Sequence, residues 1–231
     1  MASIRRRCFS LLAILTLIQV SLGTSNLAEK VTLDLYYESL CPFSANFISN
    51  ELPNLFLNGL IDIVDLRLFP WGNARLNSGN FDCQHGPDEC LLNTVEACAI
   101  DTWPNLNDHF PYISCVETLV YEGNYTKWPI CFKEFDLDPN TLTGCYKGAY
   151  GKKLELKYAN LTAQLNPPHT YVPWVLVAGK PIYLNYPNFM SYICKAYKGP
   201  TPSACKKESL ASIRRKKTNA HFVSYTEHTA N

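Results

Sequence analysis

The side chains with the most chemistry to offer are cysteines, and ten stand in the 231 residues. One opens the run Cys41-Pro42-Phe43-Ser44, behind the β-branched and aromatic segment Val31 to Ser39. The residues that follow place Phe43, Phe47, Ile48 and Leu52 on one helical face, and Pro42 suits a first helical turn. Cys41 is therefore expected where a strand ends and a helix begins. A thiol there meets unpaired backbone N–H groups and the positive end of the helix dipole, which favour the thiolate. The thiolate is the species that attacks a disulfide sulfur. An unperturbed thiol is only about 0.03% ionised near pH 5, so exchange in an acidic compartment would need such a placement. The blander reading is a structural cysteine that happens to begin a helix.

A second run is denser: Cys83-Gln84-His85-Gly86-Pro87-Asp88-Glu89-Cys90-Leu91-Leu92-Asn93-Thr94-Val95-Glu96-Ala97-Cys98. Cys83, His85, Cys90 and Cys98 are zinc-ligand types, but their spacing fits no usual zinc pattern. No metal and no cofactor is expected. His85 reads as a structural or substrate-facing residue and His169 as a loop histidine; neither is given a catalytic role.

The N-terminus bears on how the thiols behave. Arg5, Arg6 and Arg7 precede an apolar stretch from Cys8 to Val20, with Ser21 and Gly23 behind it. That is the pattern of a secretory signal peptide over residues 1–23, too short for a comfortable membrane span. Its removal leaves nine cysteines, an odd number, which flags one free thiol or an intermolecular bridge. Asn124-Tyr125-Thr126 and Asn160-Leu161-Thr162 are N-glycosylation acceptor patterns that agree with a secretory route. The formal net charge of +1 argues against a nucleic-acid binder working through bulk positive charge. A hydrophobic fraction of 47% argues against a mainly disordered chain.

The elements that must position Cys41 follow from periodicity. Ile61 to Phe69 alternates as a second strand, and Pro53 is expected to kink or end the helix before it. Residues 70–82 read as a turn-rich loop. From about 83 to 165 the pattern is helical and holds six cysteines, a disulfide-stapled insertion. Trp174 to Val177 reads as a buried strand, Pro181 to Tyr183 as its hairpin partner, and Tyr186 to Lys198 as a helix. Residues 206–231, with Arg214-Arg215-Lys216-Lys217, read as a basic mobile tail. The order β-α-β, helical insertion, β-β-α is an α/β chain of thioredoxin topology, one domain over 24–205. In that fold a cis-proline faces the active cysteine, and Val172-Pro173 stands at the matching place. Ser44 takes the position of the second thiol of a dithiol site. It cannot form the releasing disulfide, though its hydroxyl can donate a hydrogen bond to a thiolate.

The second run resembles the signature of the gamma-interferon-inducible lysosomal thiol reductase family at every fixed position: Cys83, Gln84, His85, Gly86, Glu89, Cys90, Asn93 and Cys98. Phe69-Pro70-Trp71-Gly72-Asn73-Ala74 and Pro167-Pro168-His169-Thr170-Tyr171-Val172-Pro173-Trp174 extend the resemblance over roughly residues 31–205. It implies a thioredoxin-like fold with a helical insertion. It also implies reduction of protein disulfides in an acidic endosomal or lysosomal compartment, by a pair that falls here on Cys41 and Ser44. With Ser44 in place, a monothiol cycle is expected, with Pro42, Phe43, Ser44, Val172 and Pro173 supporting Cys41. A low-molecular-weight thiol would be the resolving reductant. Setting Cys41 aside leaves Cys83, Cys90, Cys98, Cys115, Cys131, Cys145, Cys194 and Cys205, enough for four disulfides. Cys194–Cys205 is the pairing suggested by closeness; the other six stay open. The competing function is a non-catalytic binding or chaperone module that kept the fold.

Overall fold

The computed structural model describes residues 28–206. The leader expected over 1–23 and the basic tail beyond Lys206 lie outside the described residues.

The sheet runs in the order β2-β1-β5-β6. Strand β1 (Val31–Tyr37) is central, parallel to β2 (Val64–Pro70) from Val31 opposite Val64 to Tyr37 opposite Pro70, and antiparallel to β5 (Trp174–Val177). Both its faces are covered. Leu33, Leu35 and Tyr37 enter the main core, while Tyr36 packs with Trp174 and Leu176 on the other side. Strand β2 alternates because only one face is covered, so Val64, Leu66 and Leu68 are buried and Asp65 and Arg67 are exposed. Arg67 closes a two-pronged ion pair at 2.6 and 2.8 Å on buried Asp34, its register partner on β1.

The helix behind Cys41 differs from the expected single stripe. It consists of α1 (Pro42–Asn46), a π-helical turn (Phe47–Glu51) and α2 (Pro53–Leu57). Pro53 has no N–H and its ring crowds the preceding turn. The chain widens there, and Leu52 N reaches back to Phe47 O at 2.9 Å. The widened turn shifts the helical phase, so a 3.6-residue stripe does not carry through it. Phe47, Ile48 and Leu52 are fully buried, but Phe43 is 66% exposed and the buried places of the first turn fall to Ser44 and Ala45. Pro53 therefore redirects the helix instead of ending it.

A 3-10 turn (Leu60–Ile63) leads into β2, so this strand starts three residues later than the alternation suggests. The expected loop over 70–82 holds a small hairpin, β3 (Arg75–Asn77) with β4 (Asn80–Asp82). Its turn residues Ser78 and Gly79 both have positive φ, the signature of a two-residue hairpin turn.

The insertion is helical, as its periodicity indicates: α3 (Pro87–Thr102), α4 (Leu106–Tyr121), α5 (Ile130–Glu134), α6 (Pro139–Tyr146) and α7 (Ala149–Ala163). Asn105 and Asp138 cap α4 and α6 by accepting hydrogen bonds from Asn107 N and Asn140 N. Among the described residues four disulfides form: Cys83–Cys90, Cys98–Cys145, Cys115–Cys131 and Cys194–Cys205. Cys41 is left free. Beyond β5, strand β6 is only Lys180–Pro181. Tyr183, with φ of 51°, leaves the strand and opens a 3-10 turn through Asn188 that contains Pro187. The last helix, α8, therefore runs over Phe189–Ala196 and not from Tyr186.

Candidate active site

Cys41 stands at the N-cap of α1, four residues beyond the end of the central strand. Its N–H donates to Glu38 O at 3.3 Å, and its carbonyl accepts from Ala45 N at 2.9 Å. The first-turn N–H groups of a helix have no intrahelical partner, and here no side chain caps them. The Cys41 Sγ donates to Val172 O at 3.8 Å, and the Val172–Pro173 peptide is cis. Strand end, helix start and proline loop thus converge on one sulfur, as the residue pattern suggests. Cys41 is 6% exposed.

Ser44 departs from expectation. Its Oγ is buried and has no hydrogen-bond partner, so it makes no bond to Cys41 Sγ in this arrangement. A row of aromatic contacts flanks the cis Val172–Pro173 peptide in sequence. Tyr171 packs edge-on against Trp174 at 5.2 Å and Trp174 against Tyr183 at 5.5 Å. Burial and then the charge of Cys41 raise the Tyr186 phenol. Phe43 on α1 and Tyr183 and Leu184 on the 3-10 turn after β6 are exposed apolar groups.

The family signature lies behind the cysteine turn and holds it. On α3, Glu89, Asn93 and Glu96 follow an i, i+4, i+7 line, and all three are fully buried. Asn93 Oδ1 accepts from Ser39 N at 2.9 Å, and Ser39 Oγ donates to Glu89 O at 3.2 Å. His85 Nδ1 lies 2.5 Å from Glu89 Oε2 and 3.6 Å from Glu38 Oε2. Asn73 N donates to Glu38 Oε1 at 2.5 Å, and the Asn73 side chain donates to Gln84 at 2.8 Å. Burial, then the charge of Glu89, raises the Glu38 carboxyl. Gly86 has φ of 92°, a conformation glycine adopts without strain at the entry to α3. His85 is thus a structural partner of two carboxyls.

Glu38, His85 and Glu89 also bring three potential metal-ligand atoms within 4.8 Å of one another. The cysteines next to His85 in sequence cannot join it in a metal site, because Cys83, Cys90 and Cys98 are all in disulfides. His169 is partly buried, which lowers its basicity, while the backbone of Gly72 opposes that shift.

Both acceptor asparagines fall on the insertion. Asn124 precedes a 3-10 turn and Asn160 is exposed on α7, but its companion Thr162 is buried. Periodicity did not single out Glu38, Glu117 or Glu155, acidic residues that the fold buries. The available signal was an acid set on an apolar stripe, as Glu117 is between Ile113, Val116 and Val120.

With this geometry in place, likeness to known proteins is decisive. The family described as "Gamma interferon inducible lysosomal thiol reductase (GILT)" matches residues 32–135. A protein of Arabidopsis thaliana named gamma-interferon-responsive lysosomal thiol protein is 40% identical over 87% of this chain and 87% of its own length. The chain belongs to the GILT family. The gamma-interferon-inducible lysosomal thiol reductase of Mus musculus is 37% identical, covering 80% of this chain and 75% of that protein. Among solved structures, reduced DsbA from Mycobacterium tuberculosis aligns with a TM-score of 0.53 at 19% identity, covering 80% of this chain and 92% of the other. That likeness places the GILT chain in the thioredoxin-like fold class. Among the described residues, four disulfides and one free thiol fit a family of thiol reductases.

Proposed function

We propose that this GILT-family oxidoreductase works by monothiol exchange at Cys41 in the endomembrane lumen. The observation that carries the reading is the free Cys41 at a helix start against the cis-proline loop, with serine three residues on. The Cys41 thiolate attacks one sulfur of a substrate R–S–S–R′. A Cys41–S–S–R bond forms, and R′–S⁻ leaves and takes a proton from solvent. A low-molecular-weight thiol R″–SH, as thiolate, then attacks the mixed disulfide at the substrate sulfur. This forms R–S–S–R″ and returns Cys41 as thiolate; a second R″–SH completes reduction of R and yields R″–S–S–R″. Ser44 offers no internal route for the release step.

The substrates are disulfide-bearing proteins. Phe43, Tyr183 and Leu184 offer an apolar rim to the polypeptide around the disulfide. Residues 1–23 as a cleaved leader, glycans on Asn124 and Asn160, and an acidic lysosomal or vacuolar destination belong to the same proposal. Among the described residues no helix is long and apolar enough to cross a membrane. The test is reduction of a denatured disulfide protein with and without added low-molecular-weight thiol. The proposal expects turnover only with the added thiol and none from Cys41→Ser. The 6% exposure of Cys41 favours a second reading, a binding module that grips clients without chemistry. Client binding that survives Cys41→Ser, without turnover in the parent protein, would support it.

A further inference from the structure

Behind the cysteine turn two carboxyl groups face one imidazole. Glu38, between β1 and Cys41, and Glu89, on α3, are both fully buried, and the His85 side chain is 34% exposed. One oxygen of each carboxyl is pinned by a backbone N–H. Asn73 N donates to Glu38 Oε1 at 2.5 Å, and His85 N donates to Glu89 Oε1 at 3.2 Å. The second oxygens turn to the same ring nitrogen. His85 Nδ1 lies 2.5 Å from Glu89 Oε2 and 3.6 Å from Glu38 Oε2. Nδ1 carries at most one proton, which goes to the nearer Glu89. Glu38 Oε2 is left buried and without a hydrogen-bond donor. A buried carboxylate oxygen with no partner is costly, and a single ring cannot balance two negative charges.

The missing partner fits a small divalent cation. The three facing atoms lie within 4.8 Å of one another. A tetrahedral ion with bonds of about 2.0–2.1 Å holds its ligands about 3.3 Å apart, which falls between the two separations that Nδ1 shows here. Two carboxylate oxygens and an imidazole nitrogen are zinc ligands, and the charge of Zn²⁺ cancels that of two carboxylates. The nearest cysteines in sequence offer no thiolate, because Cys83 and Cys90 are bonded to each other. The Cys41 sulfur is directed elsewhere, to Val172 O. The position of Glu38 is also built in. A Cβ at Gly72 would come within 2.8 Å of Glu38 Oε1, so glycine keeps the room that the carboxyl fills. The backbone around the three residues ends at the nucleophile. Cys41 N donates to Glu38 O, and Ser39 Oγ donates to Glu89 O.

We propose that Glu38, His85 and Glu89 bind one Zn²⁺, which clamps the cysteine turn to the start of α3. The ligand atoms are Glu38 Oε2, Glu89 Oε2 and His85 Nδ1, and a solvent water completes the set. The exposed part of His85 is the way in. For a neutral ring the proton moves through solvent from Nδ1 to Nε2, and Nδ1 presents its lone pair to the ion. The backbone N–H groups of Asn73 and His85 orient the two carboxylates from behind. The ion changes no oxidation state and takes no part in disulfide exchange. It holds the backbone that leads into Cys41.

Zinc binding does not depend on whether Cys41 turns over, so the test reads the ion and not activity. The purified protein, freed of metal with a chelator, is titrated with zinc chloride near neutral pH by calorimetry. One zinc per chain should bind, and the melting temperature should rise as zinc is added. Glu38→Gln and His85→Ala should each weaken binding at least about tenfold, while Cys41→Ser leaves it unchanged. Anomalous diffraction at the zinc edge, from crystals of the parent grown with zinc, should place the ion between Glu38, His85 and Glu89. No zinc uptake, uptake that both variants leave unmoved, or an ion found only at other residues would overturn the proposal. If the two variants do not fold, the anomalous signal of the parent decides alone.

Discussion

At the scale of single residues the chemistry rests on a sulfur and on an oxygen three places on. Cys41→Ser should abolish disulfide exchange, at least about a hundredfold, because covalent attack has no substitute nucleophile among the described residues. Its melting temperature should stay close to the parent's, since the swap is small. Ser44→Cys is the more telling change. The Ser44 hydroxyl is buried without a partner, so replacing it with a thiol sacrifices no hydrogen bond. The variant should turn over with far less added low-molecular-weight thiol, because a second sulfur can resolve the mixed disulfide from within. Turnover assayed against reductant concentration checks this. Gly72 is a residue of another kind. It has φ of 56°, and a Cβ there would lie 2.3 Å from Glu38 Cγ. Gly72→Ala should cost about 1–3 kcal/mol by chemical denaturation, from backbone strain together with displacement of Glu38.

At the scale of elements, pH sets how firmly the helices hold the sheet. Burial raises Glu96 from 4.5 to about 7, with hydrogen bonds from Glu117 and Tyr37 opposing it, and raises Glu117 and Glu155 well above the carboxylate range. A carboxyl whose folded value exceeds its unfolded value stabilises fully below the unfolded one. That contribution fades as pH climbs through the folded one, because the unfolded chain ionises first. Stability from Glu96 should therefore decline between pH 4.5 and about 7. Relative to the parent, Glu96→Gln should gain ground as pH rises through that window, measured as the difference in melting temperature. This layer also shows what sequence could and could not reveal. Strands β1, β2 and β5, the helix start at Pro42 and the helical character of 83–165 were legible because each carries its own period. The π turn was not, since Pro53 can either end a helix or widen it, and tertiary packing decides. The hairpin in 75–82 was hidden by strands of three residues each. The buried acids were invisible to periodicity, which sorts apolar from polar and cannot foresee an acid kept neutral by its surroundings.

At the scale of the whole molecule, a small four-stranded sheet carries a helical insertion tied down by covalent links. Cys98–Cys145 spans 47 residues and joins α3, which braces the cysteine turn, to α6. Replacing both cysteines with alanine should cost about 2–4 kcal/mol in denaturant unfolding and slow exchange at Cys41 by loosening α3. The fold was readable from the order of elements, whereas the odd cysteine count left by removal of the expected leader allowed one free thiol or an intermolecular bridge; among the described residues Cys41 is the free one. The pairings of the six insertion cysteines needed the three-dimensional arrangement, because fifteen were possible. The measurement that reaches the centre of the account is the alkylation rate of Cys41 near pH 5, with mass spectrometry locating the label. The account predicts one labelled thiol, at Cys41, reacting at least about tenfold faster than free cysteine under the same conditions. A Cys41 that stays unlabelled, or reacts no faster than free cysteine, would contradict it.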